Sequence, residues 1–386
     1  MRRAPESEMM PLMWDVDLHR HFEAGLTPET IARLAARHGL TEVRSRAGVV
    51  ATGADPQDPD SIRRYYRAIG DGFGRPGGFQ AFADSFGLPL SVMRTTEDLE
   101  EAVFDQLVAA AAAGHLHTEL RGSPFSYQEH VRAPVDEIAA ALVAGVDRAW
   151  RERQVSGTFI LAFSRQKGLG PAGAPPAQRQ APVVAELAAR LHRKDRPVGL
   201  DIAGFPEKPF PPIAFEHALQ PAREAGVPLT VHAGEQGTPP DFADAPPAFI
   251  IDAIAGLGAK RIGHGTSLVA ANTIARSWVG QLGVGIESCP VSNACMGFMP
   301  LDRHPLRVFL ADNLLVSVGT DDPLMFGPFT LADTREMIGP ALGLTPADWW
   351  QIAANGVRTA FVTDERRAWL TARLDAVAGG ARESKK

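Results

Sequence analysis

The chain has 386 residues, 45% of them hydrophobic and 22% charged, with a formal net charge of −6. This is ordinary globular composition, and with no basic stripe it gives no electrostatic case for nucleic-acid binding. No stretch nears the about 18 consecutive apolar residues of a membrane span, the N-terminal MRRAPESEMMPLMW lacks a signal-peptide core, and two cysteines, Cys289 and Cys295, make no disulfide framework, so a reducing, cytoplasmic setting is expected.

The first β-like run, MWDVDLH, ends at His19, and HRH continues it to His21. Strand side chains alternate faces, so His19 and His21 point the same way. Thr27, Pro28 and Gly39 then mark the cap, first turn and stop of a helix, TPETIARLAARHG. A long insertion follows, at about residues 41–110. It carries Phe79, Phe82 and Phe86 at helical spacing, either as ordinary core packing or as an apolar lid.

Seven further runs succeed one another: HLHTELRGS from His115, GTFILAFS from Gly157 to Ser164, and PVGLDIAG ending at Gly204. VPLTVHAGE ends near His232, KRIGHG contains His264, GVGIESCP ends near Cys289, and NLLVSVGTDDP ends at Asp321. Helical stretches separate most of them. Eight runs with helical connections point to a parallel (β/α)8 barrel of TIM type, in the α/β class. Several runs are apolar without alternation, as strands covered on both faces should be. We expect one domain over 1–386, a helical lid insertion at about 41–110, and loose tails at 1–12 and 379–386.

Chemistry gathers at four run ends: HRH, HAGE, GHG and TDD. Alone, a strand histidine is an ordinary packed residue and Asp-Asp-Pro an ordinary turn. At the ends of barrel strands they would meet at one face, where barrel active sites form. His19, His21, His232 and Asp321 would supply three imidazoles and a carboxylate to one zinc ion, which takes such ligands and activates water. Glu235 lies three residues past His232, free to meet substrate; burial would keep it protonated as an acid. His264 could take or shuttle a water proton. Asp322, next to Asp321, would face substrate.

The ordered set HRHFE, DIAG, HAGE, RIGHG, SCPVSN and GTDDP resembles the adenosine deaminase family of the metal-dependent amidohydrolases. The resemblance runs from about Asp17 to Phe326. It implies a (β/α)8 barrel holding one catalytic zinc per chain on His19, His21, His232 and Asp321. It implies that Glu235 protonates a purine ring nitrogen and that His264 acts as base toward water. Asp322 and the Gly204 N–H would bind the ring, Glu23 would lie near the sugar, and Phe79, Phe82 and Phe86 would form the lid. The implied reaction converts a 6-aminopurine nucleoside, with adenosine or 2′-deoxyadenosine leading, to its 6-oxo product and ammonia. Adenine, aminodeoxyfutalosine or a modified adenosine are alternatives, and a non-catalytic purine-nucleoside-binding barrel is the rival of another class. The resemblance implies neither a nucleic-acid nor a membrane partner and leaves oligomeric state open.

Three departures from the family pattern bear on substrate. Ala24 stands where Gly usually follows the acid, which would put a methyl group on the sugar side of the pocket. Phe205, Pro206 and Glu207 follow Gly204, so the usual adjacent acid is missing. Gly319 stands where Asn is common. Cys289 has no sequence neighbour to make it a nucleophile. His38, His115, His117, His130, His192, His217 and His304 lack motif context and are expected to be structural or exposed.

Overall fold

The computed structural model describes residues 14–383, apart from 43, 46–47, 50–53, 76–77, 171–172, 176–177, 206, 236–244 and 328. Eight strands form one sheet: β1 (Asp15–His21), β2 (His115–Gly122), β3 (Gly157–Ser164), β4 (Gly199–Ala203), β5 (Leu229–Ala233), β6 (Arg261–His264), β7 (Gly285–Ser288) and β8 (Leu315–Val318). Each pairs in parallel with the next in chain order. Closure comes from the loop after β8. The His21 N–H donates to the Asp321 carbonyl at 2.9 Å, and the Asp321 N–H donates to that of His19 at 2.8 Å. All eight sequence runs are therefore strands of one (β/α)8 barrel.

The strands are buried nearly throughout. Helices cover the outer face, and their apolar side chains join those of the strands in one large core cluster. The barrel interior also holds charge. Arg261 bridges Glu119 on β2 and Glu287 on β7, and Arg121 bridges Asp201 on β4 and Glu287, all fully buried or nearly so. Such charges are tolerated because each has an opposite partner.

Helix α1 (Pro28–Arg37) begins as its sequence predicts: the Thr27 side chain accepts the Thr30 N–H, Pro28 fills the first turn, and Gly39 has φ +62°. The insertion contains α2 (Pro59–Gly70), α3 (Gly78–Ser85) and α4 (Gly87–Val92), before α5 (Thr96–Ala112) leads into β2. Residues 1–12, expected to be loose, lie outside the described residues, as do 384–386. The last helix, Asp364–Glu383, runs through 379–383. Among the described residues no helix is long and apolar enough to cross a membrane.

Candidate active site

The C-terminal ends of β1, β5, β6 and β8 bring the sequence-derived residues together. His19, on β1, lies beside His21 (ring centroids 5.6 Å apart) and beside His232 of β5 (4.7 Å). His21 and His232 are 5.4 Å apart. Nε2 of His19 and Nε2 of His21 each lie 3.4 Å from Oδ1 of Asp321. Ligand atoms of the three histidines fall within 4.8 Å of one another.

The backbone is bent to achieve this. His264 and Asp321 both have φ of +60°, a left-handed conformation that costs a non-glycine residue roughly 1–3 kcal/mol and clusters at functional sites. His264 ends β6 and Asp321 lies three residues past the end of β8, so each left-handed residue turns the chain beyond the sheet. Two glycines make room. A Cβ on Gly319 would lie 2.5 Å from His19 Cβ and 2.8 Å from its carbonyl oxygen; one on Gly263 would lie 3.0 Å from His19 Cε1. The Gly319 departure thus has a physical reason: β8 approaches β1 too closely for a side chain.

Carboxylates behind the histidines fix which nitrogen faces the site. Glu287 Oε2 lies 2.7 Å from His19 Nδ1, and Asp201 Oδ2 lies 3.0 Å from His232 Nδ1. This leaves both Nε2 atoms turned inward. Beyond the 3.4 Å approach to Asp321, Nε2 of His19 is buried with no hydrogen-bond partner among the described residues. An unpartnered buried imidazole nitrogen, next to two more imidazoles and a carboxylate, fits a divalent metal with nitrogen and oxygen ligands. Burial drives His21 down to about 3, so its ring is neutral and able to ligate. The Cys289 sulfur also approaches His19, His264 and Asp321. Burial, with Asp321 nearby, pushes its thiol well up, so it is no thiolate nucleophile.

Glu235 is buried next to the cluster. Burial first, then the Asp321 and Glu207 carboxylates, hold it well above the ordinary carboxyl range. Its Oε1 accepts the Asn293 side-chain amide at 2.9 Å and lies 3.2 Å from His264 Nδ1. His264 Nε2 is 3.9 Å from Asp321 Oδ2. Burial pushes His264 well below its ordinary value despite Asp321, which leaves a neutral ring. Burial and the charges of Asp321, Glu23 and Glu235 raise Asp322. Its Oδ1 is buried with no bonding partner among the described residues. The arrangement could hold a metal ion, with Glu235, raised above the usual carboxyl range, and a neutral His264 beside it.

That point opens into a cavity of about 320 Å³, at the low end of small-molecule sites. Its lining includes His21, Glu23, His232, Glu235, His264, Asp321 and Asp322. Gly204 (φ +90°) and Phe205 form one wall, and Phe79, Phe82 and Phe86 another. Phe82 stacks on Phe326 at 5.6 Å, and Phe79 meets the edge of Phe205 at 6.4 Å. Glu23 Oε2 accepts the Tyr127 hydroxyl at 2.7 Å.

One sequence expectation changes here. Ala24 is fully buried in the core and does not line the cavity, so its methyl group faces packing. Glu207, three residues past Gly204, accepts the N–H groups of Gly234 and Glu235, both at 3.0 Å; Pro206 lies outside the described residues. Sequence reasoning gave no role to Asp201, Glu287, Asn293 or Glu207. For the first two a signal existed: each is the sole acid in a short apolar strand, where it needs a partner.

Comparison with known proteins agrees with the geometry. Residues 15–377 match the profile of the adenosine deaminase family. The chain is 30% identical to the adenosine deaminase of Klebsiella pneumoniae, covering 93% of this chain and 96% of the relative. It is 28% identical to that of Shewanella denitrificans, covering 92% and 97%. Among solved structures, adenine deaminase from Arthrobacter aurescens superposes with a TM-score of 0.75 at 26% identity, covering 96% of this chain and 99% of that one.

Proposed function

Because the chain belongs to the adenosine deaminase family of hydrolytic deaminases, we propose that it deaminates a neutral 6-aminopurine nucleoside, adenosine or 2′-deoxyadenosine first, at one zinc per chain. The observation that carries this is the convergence of His19, His21, His232 and Asp321 beside a buried Glu235 in one cavity. Those four residues would hold the zinc. When bound, zinc supplies the Lewis acidity that makes water a nucleophile near neutral pH.

The chain's own groups do the rest. Glu235, held well above the usual carboxyl range by burial, gives its proton to the ring nitrogen next to the attacked carbon, which neutralises the charge that builds there. His264, neutral and 3.2 Å from Glu235, takes a proton from the attacking water. Asp322 and the Gly204 N–H orient the ring, and Glu23, with Tyr127, faces the sugar. His264 passes the water proton to the amino group, which leaves as ammonia; the adduct's hydroxyl proton returns to Glu235, and the product carries the water oxygen at C6. Phe79, Phe82 and Phe86 would act as a lid, excluding water from the cavity.

Charge favours a neutral substrate. Among the described residues lining the cavity, none is Lys or Arg, so nothing there complements a phosphate. Adenine is the second reading, favoured by the likeness to an adenine deaminase.

The test is the loss of 6-aminopurine absorbance with adenosine, 2′-deoxyadenosine, adenine, aminodeoxyfutalosine and AMP, with and without a chelator. Adenosine should be turned over, with activity lost on chelation and restored by zinc. Binding without turnover of every compound would favour a non-catalytic purine-binding barrel.

A further inference from the structure

His304 has no motif context in the sequence, yet it is buried against the back of the site. Its Nδ1 lies 3.3 Å from the Leu306 backbone nitrogen, whose N–H donates to it. Burial pushes the ring down to about 3, so it is neutral. A neutral imidazole that accepts at Nδ1 carries its proton on Nε2. That Nε2 lies 3.2 Å from Asn293 Oδ1. The Asn293 amide is thereby fixed: its oxygen faces His304 and its nitrogen faces the site. Nδ2 then meets Glu235 Oε1 at 2.9 Å and His264 Nδ1 at 3.4 Å.

We propose that His304 and Asn293 are positioning residues that decide which oxygen of Glu235 carries the transferable proton. The Asn293 amide donates to Oε1, which favours Oε1 as the carbonyl oxygen, the better acceptor, and so favours the acidic proton on Oε2. Were the amide reversed, its oxygen would face Oε1 and compete for that proton. The Leu306 N–H sets the His304 tautomer, His304 sets the amide, and the amide sets the acid. Each link is a hydrogen bond whose donor the preceding link determines. The chain joins the segment Pro290–Cys295 after β7 to the stretch before Leu306–Ala311, so the acid's geometry depends on a loop outside the cavity.

The inference rests on Glu235 being the proton donor, and two histidine variants separate it from that reading. His304→Gln keeps an N–H donor near the position of Nε2. His304→Asn keeps an acceptor near Nδ1 but no donor that reaches Asn293. In the full-length zinc-loaded protein, kcat for the best 6-aminopurine should fall at least ~10-fold in His304→Asn and Asn293→Ala. KM should change less than about 3-fold, and His304→Gln should recover most of the loss. Nitrogen chemical shifts of His304 in the unmodified protein should report the Nε2–H tautomer. Equal kcat in His304→Asn and His304→Gln, or an Nδ1–H tautomer, would overturn the inference while leaving Glu235 as donor. Undiminished kcat in Glu235→Gln would instead remove the reading on which it stands.

Discussion

Nδ1 of His19 and Oε2 of Glu287 lie 2.7 Å apart, and both side chains are completely buried. The same carboxylate meets Arg121 and Arg261, while Thr230 donates to its Oε1 at 2.8 Å. Glu287 therefore couples the orientation of the His19 imidazole, a proposed metal ligand, to the charge balance of the barrel interior. Glu287→Gln should weaken zinc binding by ten- to a hundred-fold, measured by chelator competition. It should also lower stability by about 3–5 kcal/mol, because two arginines lose their shared buried partner.

Glu235→Gln should retain zinc and lose about 10²–10⁴-fold in kcat. Its effect on stability has a defined sign. The folded-state value of Glu235 is raised above the ordinary 4.5, so its contribution is fully present below about pH 4.5 and is lost as pH rises through the folded value. Gln has no proton to release. The variant should therefore melt higher than the parent at pH 8, and the difference should vanish near pH 4; thermal melts at both values check this.

Gly319→Ala should cost about 1–3 kcal/mol by overpacking and reduce zinc content, since its Cβ would press on the backbone of His19. Melting temperature and metal analysis of one preparation read both effects.

Phe82→Ala removes the ring stacked on Phe326 and opens the insertion side of the cavity. KM should rise about tenfold, with zinc content unchanged. In the parent, kcat/KM for AMP should fall at least ~100-fold below that for adenosine, because no cation among the described lining residues meets a phosphate.

The residues that meet in the cavity were legible because they sit at strand ends in short, ordered motifs. His19 and His21 follow from strand alternation, and HAGE and TDD mark two other barrel strands. The supporting layer was not. Glu287 is 268 residues from His19, and only barrel closure brings them together. The Glu207 carboxylate reaches the turn after β5 from the loop after β4, which residue spacing alone conceals. Ala24 shows the opposite failure: adjacent to Glu23 in sequence, it faces the core. His304 gave no signal, because the role proposed for it rests on a tautomer that a backbone N–H selects.

Anomalous diffraction at the zinc edge, from crystals of the zinc-loaded protein, tests the central claim most directly. The account predicts one peak per chain, contacted by His19, His21, His232 and Asp321, with Glu235 close by but not coordinating. A peak elsewhere, none in this cavity, or one coordinated by Glu235 in place of Asp321, would contradict it.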